Sequence, residues 1–400
     1  MRIDMSRPSR RCFIGAGLAL PVLGAPAGKQ ASSSSPMSHA KPPAVRYRLL
    51  GKTGLEVSEV GFGNEGVSDV SVYEHALDLG INFFDSALNY QNGNAEMALA
   101  KALGARRKNV ILCGRSYADN AKALAADLDT SLKQMRIDSF DVWYIGDKDN
   151  PGKITDEMLA VQAKAQQAGK IRFKGLSTHQ LQNMVDFVLT RGHFDVVLTI
   201  YNFARGTPRD YFGKDNPIRD LEGNLQRLHD AGIGLVAMKV MAGGYKPKDP
   251  TEPLYAIRQR PNAHLAALKW ALRDRRFATT IPRMSDHDKL VENVRAMSEP
   301  WTPADEKTLA AYLPHIDGLV CRMCGSCAGA CPRGLPVSDL VRFVTYAEGY
   351  GDYGMGHSRY TRLPQNVRNV RCQDCEQCAV RCPFGVQVRE RASRAQYLFA

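Results

Sequence analysis

Between residues 57 and 282 the chain alternates two hydrophobic periods. Short apolar runs rich in β-branched and aromatic residues fall at 57–63, 82–87, 110–115, 141–145, 171–177, 196–201, 234–240 and 278–282. The gaps carry apolar residues at three- and four-residue spacing, as at 95–103, 121–135 and 265–272, which lays one apolar stripe along a helix. Runs that are apolar throughout, rather than alternating, predict strands buried on both faces, with the intervening helices as the cover. Eight such units over roughly 250 residues fit a (β/α)8 barrel of the α/β class. An open doubly wound sheet is the second architecture; its mark would be a G-x-G-x-x-G turn leading from the first strand into a helix.

Beyond the last strand run the composition changes. Cys321, Cys324, Cys327 and Cys331 read C-x2-C-x2-C-x3-C, followed by Pro332. Cys372, Cys375, Cys378 and Cys382 repeat the pattern, followed by Pro383, so the two words hold eight of the ten cysteines. Zinc sites favour two separated pairs. Three thiolates spaced two apart suit three corners of an iron-sulfur cube, and the fourth, before proline, reaches the other cube. The pattern therefore predicts two [4Fe-4S] clusters. The first takes Cys321, Cys324, Cys327 and Cys382, the second Cys372, Cys375, Cys378 and Cys331. Such clusters carry electrons singly, and Arg322, Arg371 and Arg381 beside the ligands are either solvated or raise the potentials.

The forty residues between the words exceed a compact bacterial ferredoxin's spacing and resemble the helical ferredoxin type. Residues 337–348 have helical spacing. The stretch 349–356 reads as a flexible glycine–aromatic loop that covers a cluster, docks on the barrel rim, or merely links.

The N-terminus reads as an address rather than as structure. Residues 9–14 (SRRCFI) resemble a twin-arginine export signal, with a short apolar stretch and a small-residue cleavage site at 25–27. Export by this route carries folded proteins with cofactors in place and predicts a periplasmic location. The expected organisation is a signal at 1–27, a Ser/Pro/Ala-rich linker at 28–44, a barrel at 45–315 and a mainly helical two-cluster domain at 316–400. Removing the signal also removes Cys12, leaving only Cys113 outside the cluster words, so no structural disulfide forms without taking a ligand. Of the formal charge of +12, the leader carries +3. The surplus on the remainder suits an acidic redox partner protein. No basic–aromatic interleaving points to nucleic acid, and no later run is long enough to span a bilayer.

Within the barrel region, the segments 47–58 (YRLLGKTGLEVS), 61–63 (GFG) and 80–87 (GINFFDSA) with Tyr90 resemble the aldo-keto reductase family. So do 169–172 (GKIR), 175–177 (GLS), Tyr201-Asn202, 232–234 (GIG) and Ile281-Pro282 with Glu292-Asn293. The resemblance covers about residues 45–300 in order, and a subset of the family carries a C-terminal iron-sulfur domain. It implies hydride exchange between NADP(H) or NAD(H) and a small carbonyl or alcohol. Its tyrosine proton donor is acidified by a lysine that an aspartate orients, and a histidine holds the substrate.

Carried over by position, Asp85 matches the aspartate and Tyr90 the tyrosine. The lysine's place holds Arg115, which polarises a phenol without giving up its own proton. The histidine's place holds Gly146. His179 is the candidate stand-in or else an ordinary rim residue, and Asp147 is the other acid–base option. At the nicotinamide end, Ser177-Thr178, Leu198 and Met238 stand where the family often has Ser-Asn, Gln and a stacking aromatic. At the phosphate end, Arg283, Lys289, Glu292 and Asn293 match, with Ser285 near a helix N-terminus that would favour an anion. The resemblance thus implies an oxidoreductase with an incomplete catalytic set. The other functional class is a degenerate barrel that docks a partner for an electron-transfer protein.

Overall fold

The computed structural model describes residues 44–205, 220–245, 251 and 262–400. The expected signal and all of the linker but Ala44 lie outside the described residues.

Eight parallel strands form one sheet in sequence order: β3 (Phe62–Gly63), β4 (Phe83–Asp85), β5 (Ile111–Ser116), β6 (Phe140–Ile145), β7 (Ile171–Thr178), β8 (Val196–Ile200), β9 (Gly234–Met238) and β10 (Phe277–Thr280). The ends meet through parallel bridges between Val60 and Thr280 and between Gly63 and Arg283. The Gly61 and Gly63 amides donate to Thr280 O (2.7 Å) and Pro282 O (3.0 Å). The sheet is therefore a barrel, not an open doubly wound sheet. Residues 61–66 do carry the glycine spacing of a dinucleotide-binding turn, yet they serve this closure. A side chain at Gly63 would come within 2.7 Å of Ile281 O.

The first apolar run, expected as one strand over 57–63, is divided. Its start belongs to β2 (Glu56–Ser58), paired antiparallel with β1 (Tyr47–Leu49). Glu59 then takes Arg46 and Arg48 at 2.8 and 2.7 Å, turning the chain before β3. The hairpin seals the barrel: Leu50, Leu55 and Val57 pack with Phe83, Ile111, Val142, Val196 and Val236 in its interior.

The helices in the described residues are α1 (Val70–Asp78), α2 (Asn94–Leu103), α3 (Ala121–Met135), α4 (Asp156–Gln167), α5 (Leu181–Arg191), α6 (Leu221–Asp230), α7 (Asn262–Arg273), α8 (His287–Ser298) and α9 (Pro303–Ile316) around the barrel. Helix α3 shows why they form. Asn120 caps it by accepting from the Ala123 amide at 2.9 Å. Leu124, Leu128, Leu132 and Met135 follow at helical spacing and are buried. Each such side chain contributes on the order of 2 kcal/mol. Arg136 ends the helix in the left-handed region.

The barrel's outer core ends at Ile316 and a separate core begins at Leu335. It is built from α10 (Val337–Val344), a π turn (Thr345–Gly349), α11 (Tyr353–Thr361), α12 (Gln365–Arg368) and α13 (Val388–Phe399). The expected flexible loop at 349–356 is therefore corrected in its second half. Asp352 caps α11 by accepting from the Met355 amide at 2.9 Å. Gly356 lets α11 approach α10 and α13, since a Cβ there would be 2.5 Å from the Phe399 ring and 2.8 Å from Phe343 O. The first half docks on the barrel rim: a Cβ at Gly349 would overlap Gly243 O.

Candidate active site

A cavity of about 310 Å³ opens at the C-terminal end of the barrel strands, where this fold places its chemistry. Asp85, Tyr90, Arg115 and His179 all line it. Asp85 closes β4 and Arg115 sits on the next strand, so parallel pairing brings them side by side. The Arg115 guanidinium binds Asp85 in a buried ion pair. Burial pushes the Asp85 carboxyl up and Arg115 offsets part of this. Burial also works against the Arg115 charge, but Asp85 and Tyr90 outweigh it and hold the guanidinium protonated. The Arg115 guanidinium carbon lies 6.0 Å from the Tyr90 ring centre. Tyr90 stays a neutral phenol: burial raises it well above the ordinary value, with only Arg115 opposing strongly. The Tyr117 hydroxyl donates to the Tyr90 oxygen at 3.2 Å.

Gly146 leaves no room for the histidine that Arg115's neighbourhood lacks. A Cβ there would meet Ser116 O at 2.8 Å and the Tyr117 ring at 3.0 Å. His179 instead reaches the cavity from β7. Its Nδ1 is 3.5 Å from Asp149 and 3.7 Å from Asp147. An Arg342 nitrogen lies 2.8 Å from the same atom. Burial and then Arg342 push the imidazole down, against Asp147 and Asp149, so it is neutral near pH 7.

Arg342 belongs to α10, and the same cavity is lined from that side by Tyr346, Tyr350, Asp352 and Arg359. The C-terminal domain is thus the roof of the barrel pocket. Arg359 binds Asp147 at 2.8 Å and lies 3.9 Å above the Tyr117 ring. Tyr346 and Tyr350 stack at 6.0 Å. The loop of the first cysteine word enters the barrel itself. Met323, between two cysteines, is 1% exposed and packs in the interior core that contains Ile200 and Met238. The Cys321 sulfur is 3.4 Å from the Met323 sulfur.

The remaining residues fall at the cavity's other end. Arg283, Ser285, Lys289, Glu292 and Asn293 line it. The two cations are already engaged: Arg283 meets Asp352 at 3.5 Å, and Lys289 binds Asp286, the N-cap of α8. Ser177 is fully buried on β7, outside the lining, and its hydroxyl makes no hydrogen bond.

Cys321, Cys324, Cys327 and Cys382 line one small cavity with Val337, Val341 and Phe384. Cys372 has Cys331, Cys375 and Cys378 as its electrostatic neighbours. Among the described residues no three His, Cys, Asp or Glu side chains converge on a single-ion site. No described helix is long and apolar enough to cross a membrane.

Glu65, Tyr117, Lys239, Arg342, Tyr346 and Arg359 complete the cluster around the pocket and escape a reading of the sequence. Lys239 had a local signal: a lysine interrupting the apolar run at 234–240, close to a strand end that points at the mouth.

Comparison with known proteins agrees with this architecture. Residues 63–313 match the aldo/keto reductase family, and residues 313–383 match a 4Fe-4S dicluster domain. L-galactose dehydrogenase of Arabidopsis thaliana is 28% identical over 295 residues, spanning 64% of this chain and 89% of that protein. L-glyceraldehyde 3-phosphate reductase of Escherichia coli (strain K12) is 26% identical over 332 residues, spanning 68% and 92%. The solved aldo-keto reductase AKR11C1 of Bacillus halodurans (holo form) shares the fold with a TM-score of 0.55 at 22% identity, covering 68% of this chain and 96% of that one.

Proposed function

The chain belongs to the aldo/keto reductase family, and from that premise we propose that it is an exported oxidoreductase whose barrel pocket and two [4Fe-4S] clusters serve one redox reaction. The observation that carries this reading is the shared wall: the dicluster domain roofs the pocket through Tyr346, Tyr350 and Arg359, its Arg342 contacts His179 of the lining, and Met323 runs from the cysteine loop into the barrel interior. A domain added only for stability has no need to line the site.

The cysteines fit their groups. Cys321, Cys324, Cys327 and Cys382 would hold one cluster and Cys372, Cys375, Cys378 and Cys331 the other, each supplying single electrons. Arg283, Lys289, Glu292 and Asn293 would hold the phosphate end of NADP(H) or NAD(H), which supplies hydride when bound. The protein's own part is positioning. Arg115 fixes Asp85 and polarises the Tyr90 phenol, which faces a carbonyl or alcohol oxygen. Tyr346 and Tyr350 exclude water above it, which strengthens every charge inside. The basic surface suits an acidic redox partner.

Anaerobic purification from cells with an intact twin-arginine system tests the reading. About eight iron and eight sulfide per chain are expected, with mature protein in the periplasm. Replacing Arg10 and Arg11 by lysine should leave brown, full-length protein in the cytoplasm. Colourless protein, or export untouched by the double change, would overturn the corresponding part.

A further inference from the structure

Arg115 stands where the family resemblance asks for a lysine, and it cannot exchange a proton near neutrality. The pocket nevertheless contains a lysine, on the opposite wall. Lys239 directly follows β9 and lines the same cavity as Tyr90 and Arg115. Its backbone is held in the left-handed region (φ 57), which a lysine adopts only where the surroundings impose it. Asn202 helps impose it by donating to the Lys239 carbonyl at 3.0 Å. The side chain lines the cavity and is only partly exposed, whereas lysines normally reach for solvent. Its amine lies 5.0 Å from the centre of the Tyr346 ring, under the roof.

We propose that Lys239 is the proton-exchanging group of this pocket, filling from the seventh barrel strand the role that Arg115 cannot fill from the third. The assignment rests on the carbonyl chemistry proposed above. For each carbonyl reduced, the Tyr90 O–H bond breaks as an O–H bond forms on the former carbonyl oxygen, and an N–H bond of the Lys239 ammonium then breaks to restore the phenol. The carbon takes hydride from a reduced nicotinamide nucleotide, which is oxidised, and the neutral amine recovers its proton from water. In the reverse direction the amine accepts the alcohol proton through Tyr90.

The surroundings suit the task. Glu65 faces Lys239 from the loop after β3, Tyr117 from the loop after β5 and Asp147 from the loop after β6. Arg342 and Tyr346 face it from α10 and the π turn. Burial lowers the amine first, Glu65 raises it, and Arg342 lowers it again, leaving it at about 8. An amine at that value is mostly charged at pH 7 yet gives up its proton readily.

The test is competitive acylation of the intact, cluster-loaded protein across a pH series, with the label at Lys239 quantified by mass spectrometry. The expected midpoint is near 8, and Glu65→Gln should lower it, because a carboxylate that favours the ammonium is gone. A midpoint in the ordinary lysine range of about 10.4, or one indifferent to Glu65→Gln, overturns the assignment. Turnover separates this from the parent reading. If Lys239 titrates as expected and no carbonyl is reduced, the proposed reaction falls and the assignment of the titrating group stands. If carbonyls are reduced and Lys239→Arg keeps both the rate and its pH profile, the assignment falls and the reaction stands.

Discussion

Arg359, on a helix of the cluster domain, binds Asp147 of the barrel at 2.8 Å while its guanidinium covers the Tyr117 ring at 3.9 Å. Tyr117 in turn donates to Tyr90. One arginine therefore links the roof to the phenol at the pocket floor. Both ends of its ion pair are largely buried, at 14% and 19% side-chain exposure. Breaking such a pair leaves an uncompensated charge and costs about 3 kcal/mol. Arg359→Glu should loosen the cluster domain from the barrel. Faster amide exchange at 337–361 and at 140–149 is expected, with the barrel core unchanged.

The Asp85–Arg115 pair predicts a similar cost inside the barrel. Arg115→Ala should destabilise by about 3–5 kcal/mol, because Asp85 is left buried without a counter-charge. Arg115→Lys should cost less. Adding the missing histidine as Gly146→His should not restore a family-like site, since Ser116 O and the Tyr117 ring occupy its space. A loss of about 1–3 kcal/mol is expected from that overpacking. Denaturant midpoints of the three variants check both statements.

Acid should weaken the roof in two steps. His179 is pushed below its ordinary value in the fold by burial and Arg342. Below about pH 6.5 the unfolded chain therefore binds more protons than the folded one, and stability falls with pH. For Asp147, burial raises the carboxyl, but Arg359, His179 and Arg342 outweigh it and hold it well below the usual range. Its contribution is present above about pH 4 and is lost as pH drops further. The unfolding midpoint should decline gently from pH 7 to 5 and more steeply below 4. His179→Gln should remove the first step and keep the second.

Cys382→Ser should disturb the cluster held mainly by the first cysteine word. Cys382 shares a cavity with Cys321, Cys324 and Cys327 and not with Cys372, Cys375 or Cys378. Spin-resonance spectra of the reduced variant should show that cluster altered and the other intact. Loss of the second word's cluster alone would contradict the crossed pairing.

Much of this was readable from local pattern. The barrel strands after the first follow apolar runs, because a strand buried on both faces needs no partner information to be recognised. The cysteine words announce their chemistry by spacing alone. Asp85, Tyr90 and Arg115 could be placed because strand ends fix the rim. What could not be read arises from distant segments meeting. Arg342 and Arg359 look like solvated helix charges until α10 and α11 settle on the barrel. Gly146 reads as a missing side chain, whereas packing by Tyr117 makes it a required absence. The first run divides because Arg46 and Arg48, ten or more residues earlier, capture Glu59.

The central claim is that pocket and clusters act together. Its most direct measurement is a single-turnover reoxidation under argon. Protein with both clusters chemically reduced is mixed with a panel of small carbonyl compounds, and the visible spectrum and the alcohol formed are followed. The account predicts that some compounds reoxidise the clusters without added nucleotide, one electron from each cluster and two protons from the pocket and solvent giving about one alcohol per chain, and that Tyr90→Phe and Arg359→Glu slow this at least tenfold. Clusters that stay reduced before every compound, while nicotinamide-driven carbonyl reduction proceeds equally well in cluster-free protein, would contradict it.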